Sequence, residues 1–255
     1  MKTKLVIGIV LSAVFLSFYI ARPATAQPLI DENFDAYAVG AYPASPWWTM
    51  FSGVSGAVSA EQATSAPNSL RLESLPNWAR WDCVAINAPQ AQVVTCQASF
   101  YCTDITRGAA VGFGFVDPGN PSTGWLANAV LFDNNGQISW VTKTAGSSLI
   151  GAWGGDHWWT VAIVVTYPSM QAEVYLYTEN GLYDSLSGLP ADPKVLPPSY
   201  YGVEVPLNNF GVLPNNFTGT GTSVVYVDDV RVETVDVLPV RKTTWGGVKS
   251  LYRTE

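Results

Sequence analysis

Histidine is almost missing from this chain: His157 is the only one in 255 residues. A histidine metal cluster or a Ser-His-Asp triad would rest wholly on that residue. His157 is therefore read as a strand-start residue beside Trp158. Charge is scarce too, at 13% of residues, and it leans acidic, with 13 Lys and Arg against 20 Asp and Glu. An acidic surface does not suit phosphate backbones or anionic headgroups, so neither nucleic acid nor a membrane surface is expected as a partner. Helical periodicity is nearly absent. The one long uncharged apolar run, Leu5 to Ile20, is 16 residues, short of the roughly 20 that a spanning helix needs.

That run has another reading. Lys2 and Lys4 precede it, and Ala24-Thr25-Ala26 follows with small-x-small cleavage chemistry. Residues 1–26 are expected to be a secretory signal peptide, with an uncleaved anchor as the alternative. No cysteine follows the run to carry a lipid. Losing Lys2, Lys4 and Arg22 with the signal leaves 10 basic residues against 20 acidic ones, a net charge of −10. The expected location is secreted, extracellular or on the cell surface, with no membrane contact in the mature form.

What the chain does have is aromatic and turn-forming residues: 10 Trp, 12 Tyr, 10 Phe, 22 Gly and 17 Pro. Period-2 alternation recurs, and strands are expected near 57–61, 68–73, 80–87, 92–103, 109–116, 126–132, 136–143, 158–166, 170–177, 199–205 and 222–233. Asp117-Pro118-Gly119-Asn120, Asp133-Asn134-Asn135-Gly136 and Tyr167-Pro168-Ser169 supply turns between them. Many short strands without helices imply one all-β domain, a sandwich or barrel, over residues 27–236. Residues 237–255 follow as a linker and short tail, where Trp245, Val248, Leu251 and Tyr252 fall at helical spacing.

Two hairpins can be set in register. A turn centred between Pro168 and Ser169 places Val161 opposite Leu176, Ile163 opposite Val174 and Val165 opposite Ala172, six apolar residues on one face. The other face then carries Trp158, Thr160, Tyr175 and Tyr177. A turn at Pro89-Gln90 would place Cys83 opposite Cys96, and oxidising surroundings would permit a bridge. Three buried thiols are the alternative, and Cys102 is left over.

Several segments, in order, resemble the concanavalin A-like, laminin-G-like jelly-roll superfamily of secreted bacterial proteins. Glu32-Asn33-Phe34-Asp35 is similar to its first strand and Ala66-Pro67-Asn68-Ser69-Leu70-Arg71-Leu72 to its next. Val130 to Ile138 resembles a mid-domain hairpin, His157 to Val161 with Val174-Tyr175-Leu176 a tryptophan-start strand pair, and Tyr226 to Val232 the closing strand. The resemblance implies an antiparallel two-sheet jelly-roll sandwich. It implies no single function, because the superfamily holds glycan-binding modules, glycosidases, lyases and adhesion domains.

Asp228 shares a strand phase with Val224, Tyr226, Val230 and Val232, and a carboxylate on an apolar face needs a cation or good hydrogen bonds. Related jelly rolls carry a structural Ca²⁺ where first and last strands meet. The resemblance thus implies Asp228 as a ligand, with Asp229 as the alternative and Glu32 from the first strand. Oxygen ligands suit that ion. The competing expectation is a salt bridge to Arg71, Arg80 or Arg231, or exposure to solvent.

Catalytic patterns are missing. Glycoside hydrolysis needs two carboxylates, and the Glu-x-Asp-x-Glu strand of laminarinase-type members does not occur here. Neither does the arginine-rich strand with Gln-x-His of alginate-lyase-like members. Aromatic rings can instead stack on sugar C–H faces while hydroxyls and amides bind sugar hydroxyls. Trp158, Thr160, Tyr175 and Tyr177 are the candidate platform, joined by Asn209 and Phe210 from a loop expected at 207–217. Plain packing of these rings is the competing account. The expected function is non-catalytic binding of extracellular carbohydrate or cell-surface material. An atypical glycoside hydrolase or lyase, or a purely structural surface protein, are the alternatives.

Overall fold

A computed structural model describes residues 27–43, 48–50, 54–74, 82–85, 93–103, 105, 108–116, 124–142, 145–167, 169–192, 194–195, 205–206, 209–214 and 222–235. The expected signal peptide, the tail at 237–255, the Pro89-Gln90 turn and the strand at 199–204 lie outside these residues. Every element among them is a strand. In chain order they are β1 (Gln27–Glu32), β2 (Trp48–Met50), β3 (Val54–Ser59), β4 (Ser69–Ser74), β5 (Asp82–Ala85), β6 (Val93–Cys102), β7 (Ala109–Val116), β8 (Gly124–Phe132) and β9 (Gln137–Thr142). There follow β10 (Gly146–Ala152), β11 (Trp158–Thr166), β12 (Gln171–Thr178), β13 (Gly181–Pro190), β14 (Lys194–Val195), β15 (Val205–Pro206), β16 (Asn209–Pro214) and β17 (Ser223–Val235).

Two large antiparallel sheets form the sandwich, and β14 and β15 pair as a separate short ladder. The larger has eight strands in the order β13-β12-β11-β6-β17-β4-β3, with β1 also paired to β17; the smaller has seven, β10-β9-β8-β7-β16-β5-β2. Alternation in each strand fills the space between them. From the larger sheet come Val94, Cys96, Ala98, Phe100 and Cys102 of β6, and Trp159, Val161, Ile163 and Val165 of β11. Phe113, Val130, Phe132, Ile138, Trp140, Phe210 and Val212 join the same core from the smaller sheet. Phe132 is the bridge: its ring lies 4.7 Å from Phe100, 5.5 Å from Trp159 and 5.6 Å from Trp153 between centroids.

The β11–β12 hairpin pairs Val161 with Leu176, Ile163 with Val174 and Val165 with Ala172, as the sequence predicts. All six are buried. The other hairpin is overturned. β5 belongs to the smaller sheet, where Cys83 pairs with Gly211 and Thr49, whereas Cys96 in β6 pairs with Ile163 and Val232 of the larger one. The chain crosses between sheets after β5 instead of turning back within one. Cys83 and Cys96 are therefore not cross-strand partners, and Cys96 is a free, buried thiol in the core.

Residues 209–214 are also not a loop. They form β16, an interior strand between β7 and β5, and Phe210 is fully buried with its ring 5.8 Å from Phe113. After β13 the chain crosses to the smaller sheet. There the buried Asn128 donates to the Asp192 carbonyl and accepts from its N–H, each at 2.7 Å, and the Trp140 indole donates to the Pro190 carbonyl at 2.8 Å.

Phe132→Ala is expected to destabilise the domain by about 3–5 kcal/mol, because it leaves a cavity under three aromatic neighbours. Leu149→Ala, at a residue 64% exposed, should change stability by no more than about 0.5 kcal/mol. Urea unfolding of both variants checks the assignment of core and surface.

Candidate functional site

The outward face of the larger sheet is built from the alternate residues of the strands that fill the core. Because neighbouring strands are in register, these residues form rows across the sheet. One row runs Trp158, Tyr101, Tyr226, Arg71 across β11, β6, β17 and β4. The next runs Tyr177, Thr160, Ser99, Asp228, and the one after it Tyr175, Ala162, Gln97, Arg231. The sequence expectation that Trp158, Thr160, Tyr175 and Tyr177 share one face holds, and each of the four is partly open to solvent. Gln97, Gln171 and Glu173 on the same face are exposed.

The aromatic row has a definite internal order. Tyr101 lies 5.7 Å from Trp158 and 6.2 Å from Tyr226 between ring centroids. Tyr101 and Tyr226 are only 8% and 7% exposed, so they form the floor while Trp158 stands higher. Each floor hydroxyl donates to a carboxylate: Tyr101 to Asp156 and Tyr226 to Glu61. The bond to Asp156, aided by burial, raises the Tyr101 pKa to about 12, and burial followed by the Glu61 bond raises that of Tyr226. Both phenols therefore stay protonated and act as donors. Arg71 pairs with Glu73 at 2.7 Å and approaches Glu61 at 3.8 Å. Ser99 and Thr160 share a hydroxyl bond of 2.7 Å. Tyr175 donates to Glu173, and this bond raises its pKa.

Asn209 and Phe210 are not part of this face. Both sit in β16 of the smaller sheet, with Phe210 in the core and the Asn209 side chain outside the described residues. Tyr101, Glu61 and Asp156 were missed by sequence reasoning. The signal for Tyr101 was present, since Thr95, Gln97, Ser99 and Tyr101 alternate with Val94, Cys96, Ala98, Phe100 and Cys102. Nothing local in the sequence pointed to Glu61 or Asp156, which arrive from loops. His157 has the modest role expected of it, with Nδ1 2.9 Å from the Gly155 carbonyl.

The phase argument for Asp228 does not survive. A bulge in β17 between Asp228 and Arg231, with Asp229 at φ 48°, flips the alternation. Val225 and Val227 face the core before it, and Val230 and Val232 face the core after it. Asp228 is fully buried, but on the outer side of the sheet, under the β3–β4 loop. Its Oδ2 accepts the N–H groups of Thr64 and Ser65, each at 2.9 Å, and its Oδ1 accepts the N–H of Asp229 at 2.8 Å. Ser65 Oγ donates to Asp229 at 2.8 Å. Glu32 accepts the Phe34 N–H at 2.8 Å and the Tyr37 hydroxyl at 3.0 Å.

A Ca²⁺ site needs oxygen lone pairs free to converge. Here the oxygens of Asp228 and Glu32 meet hydrogen-bond donors, and each carboxylate ties down a separate turn. No group of three or more His, Cys, Asp or Glu side chains suited to a metal occurs among the described residues. The arrangement does not fit the ion on these residues. It fits a carboxylate latch that holds the β3–β4 loop, and with it Glu61, against the sheet.

No protein-family model matches the sequence, and no curated protein does. Solved structures do match. The endo-β-1,4-glucuronan lyase of the fungus Trichoderma reesei aligns at TM-score 0.52 and 12% identity, over 81% of this chain and 95% of the lyase. A protein of unknown function from Shewanella oneidensis MR-1 aligns at 0.52 and 11%, over 80% and 84%. The cellulose-induced protein Cip1 aligns at 0.50 and 11%, over 80% and 96%. The class is thus a two-sheet jelly-roll sandwich with one open aromatic-polar face. More narrowly, the chain has the concanavalin A-like fold, one shared by lectins, glycoside hydrolases and lyases.

Removing the latch with Asp228→Ala strands three backbone N–H groups, those of Thr64, Ser65 and Asp229, and is expected to cost at least about 1–3 kcal/mol. The melting temperatures of wild type and variant are expected to be the same in Ca²⁺ and in EDTA. Burial raises the Asp228 pKa to about 6, outweighing the lowering by the N–H groups of Ser65, Asp229 and Thr64. The folded state then holds this proton more tightly than the unfolded chain, so stability falls as pH rises from about 4 to 6. Relative to wild type, Asp228→Asn should gain stability across that window in urea titrations. A flat difference would show that the N–H donors win over burial.

Proposed function

We propose that this protein is an exported, non-catalytic carbohydrate-binding sandwich that lays a glycan chain across the outer face of its larger sheet. The observation that supports the reading is the outer face of the larger sheet, where Trp158, Tyr175 and Tyr177 stand partly open among Thr160 and the exposed Gln97. Ring faces offer apolar surface to sugar C–H groups, while the hydroxyls and amide offer both donors and acceptors. From Tyr101 to Thr95 the face runs six residues along β6, about 20 Å at the rise of a strand. That is room for an extended oligosaccharide and not only a single ring. The fold is one that lectins and polysaccharide-active enzymes both use, as the lyase and the arcelin lectin-like protein illustrate.

A second reading, cleavage of the glycan, is favoured by the two tyrosine–carboxylate pairs on the floor, Tyr101 with Asp156 and Tyr226 with Glu61. Against it, each carboxylate is already engaged by a phenol, and the nearby cation, Arg71, is held by Glu73. Affinity electrophoresis through gels containing soluble polysaccharides separates the readings. Wild type should be retarded by at least one polysaccharide, and Trp158→Ala and Tyr175→Ala should each weaken retention about tenfold, the worth of one ring contact. Release of new reducing or unsaturated ends, abolished by Glu61→Gln or Asp156→Asn, would replace binding with catalysis. Retention that ignores both ring substitutions would place the ligand elsewhere.

A further inference from the structure

At the margin of the sandwich, away from the aromatic row, a notch of about 380 Å³ opens where the edge strands of the two sheets, β10 and β13, come together. Its walls are Trp153, His157, Trp159 and Tyr183, with Thr178 and Asn180 at its lip. We infer that this notch is a second binding site, for a single neutral sugar ring. It stands apart from the outer-face reading and survives if that reading fails.

Three observations carry it. First, each wall ring is pinned by its polar atom to a backbone carbonyl. The Trp153 indole donates to Asp133 at 2.9 Å, the Trp159 indole to Gly154 at 3.1 Å, and the Tyr183 hydroxyl to Ala152 at 3.0 Å. The walls are therefore set before any ligand arrives, which lowers the entropy lost on binding. Tyr183 is 51% exposed, although it is tied across the gap between two sheets and stacks edge-on against Trp159 at 5.1 Å. An ordered, half-open aromatic beside a concave space offers a stacking surface that the fold itself does not consume.

Second, polar groups are left over in the right place. A carbonyl can only accept, so Nδ1 of His157 must donate to Gly155. That leaves Nε2 as a bare acceptor in the neutral ring. The Asn180 side chain is exposed at the lip and offers both an amide donor and an acceptor. Third, the charge is selective. No lysine or arginine lines the notch, while Asp156, Glu179 and Asp184 directly adjoin lining positions in the sequence. Uronates and sialic acids, which carry a carboxylate, are disfavoured by such surroundings. A neutral hexose is the ligand that fits rings, an amide and an imidazole acceptor together.

Because His157 is the only histidine, its imidazole signal reports on one wall of the notch without ambiguity. The full chain, labelled with ¹³C-histidine, is titrated with methyl glycosides of glucose, galactose, mannose and N-acetylglucosamine, and with glucuronic acid as the anionic probe. The expected result is a saturable shift of the His157 signal with at least one neutral glycoside, and none with glucuronic acid. Tyr183→Ala and Asn180→Ala, both surface changes, should each weaken it about tenfold, whereas Tyr175→Ala on the outer face should not. The inference is overturned if no neutral glycoside moves the signal, if glucuronic acid binds as well, or if both notch variants bind like wild type. Polysaccharide retention tests the outer face, so the two readouts fail separately.

Discussion

Much of this sandwich depends on one irregularity in its closing strand. β17 bonds to β6 along one edge, and along the other to β4 over Ser223 to Val227 and then to β1 over Val230 to Thr234. A regular strand of that length would keep one phase throughout. Val225 and Val227 would be buried, but Arg231 and Glu233 would follow them into the core and Val230 and Val232 would face out. Burying two ionised side chains while exposing two valines would cost far more than the local strain of one residue at positive φ. The bulge at Asp229 resolves this by inserting one residue, and it sits where β17 changes partner from β4 to β1.

The same irregularity organises the outer face. At the bulge, successive N–H and carboxylate groups gather: Oδ2 of Asp228 holds the backbone of Thr64 and Ser65, and Oδ1 accepts the N–H of Asp229. That fixes the β3–β4 loop over the sheet and brings Glu61 to Tyr226. Tyr226 in turn sits beside Tyr101, and Tyr101 beneath Trp158. The floor of the face is thus positioned from a buried carboxylate, through a loop, to a row of rings. Polar atoms that would be costly to bury alone are satisfied in pairs along that route.

How far the sequence carries depends on where a strand lies. β7 and β11 match their expected limits residue for residue, because both are interior strands with a clear signal: β11 alternates without a break, and β7 is a continuous run of apolar residues and glycine. β10 and β13 were not anticipated. They are edge strands in which Ser147, Ser148, Leu149, Gly181 and Leu182 are exposed and the pairing is irregular. With one face only lightly used, nothing enforces a period that could be read. β16 hid for the opposite reason: Phe210, Gly211 and Val212 are buried, but Asn209 and Pro214 at its ends read as a loop, and Gly211 interrupts the apolar run. The Cys83–Cys96 pairing failed because turn residues at Pro89-Gln90 are equally compatible with a hairpin and with a crossing between sheets. Local chemistry cannot tell those apart; only the partners of β5 can. The aromatic platform was half legible. The hairpin register placed Trp158, Thr160, Tyr175 and Tyr177 together, whereas Tyr101, Glu61 and Asp156 required knowing that β6 lies next to β11 and that two loops reach over it.

The proposed reading has the outer face hold a glycan without cleaving it, and the two tasks make different demands on its groups. Cleavage needs a group that changes its protonation state near neutral pH. The floor phenols are moved the other way: the carboxylates they bond to make them weaker acids, with Tyr101 at about 12. A phenol so held is a fixed donor and not a proton shuttle. For the face to do acid–base chemistry, an arriving sugar would first have to break those bonds and leave both partners on the floor unsatisfied. A ligand resting on Trp158, Tyr175 and Tyr177 needs none of that, since it leaves the floor bonds intact and uses ring faces and the exposed amide of Gln97. Under the proposed reading, adhesion therefore asks less of this surface than cleavage does.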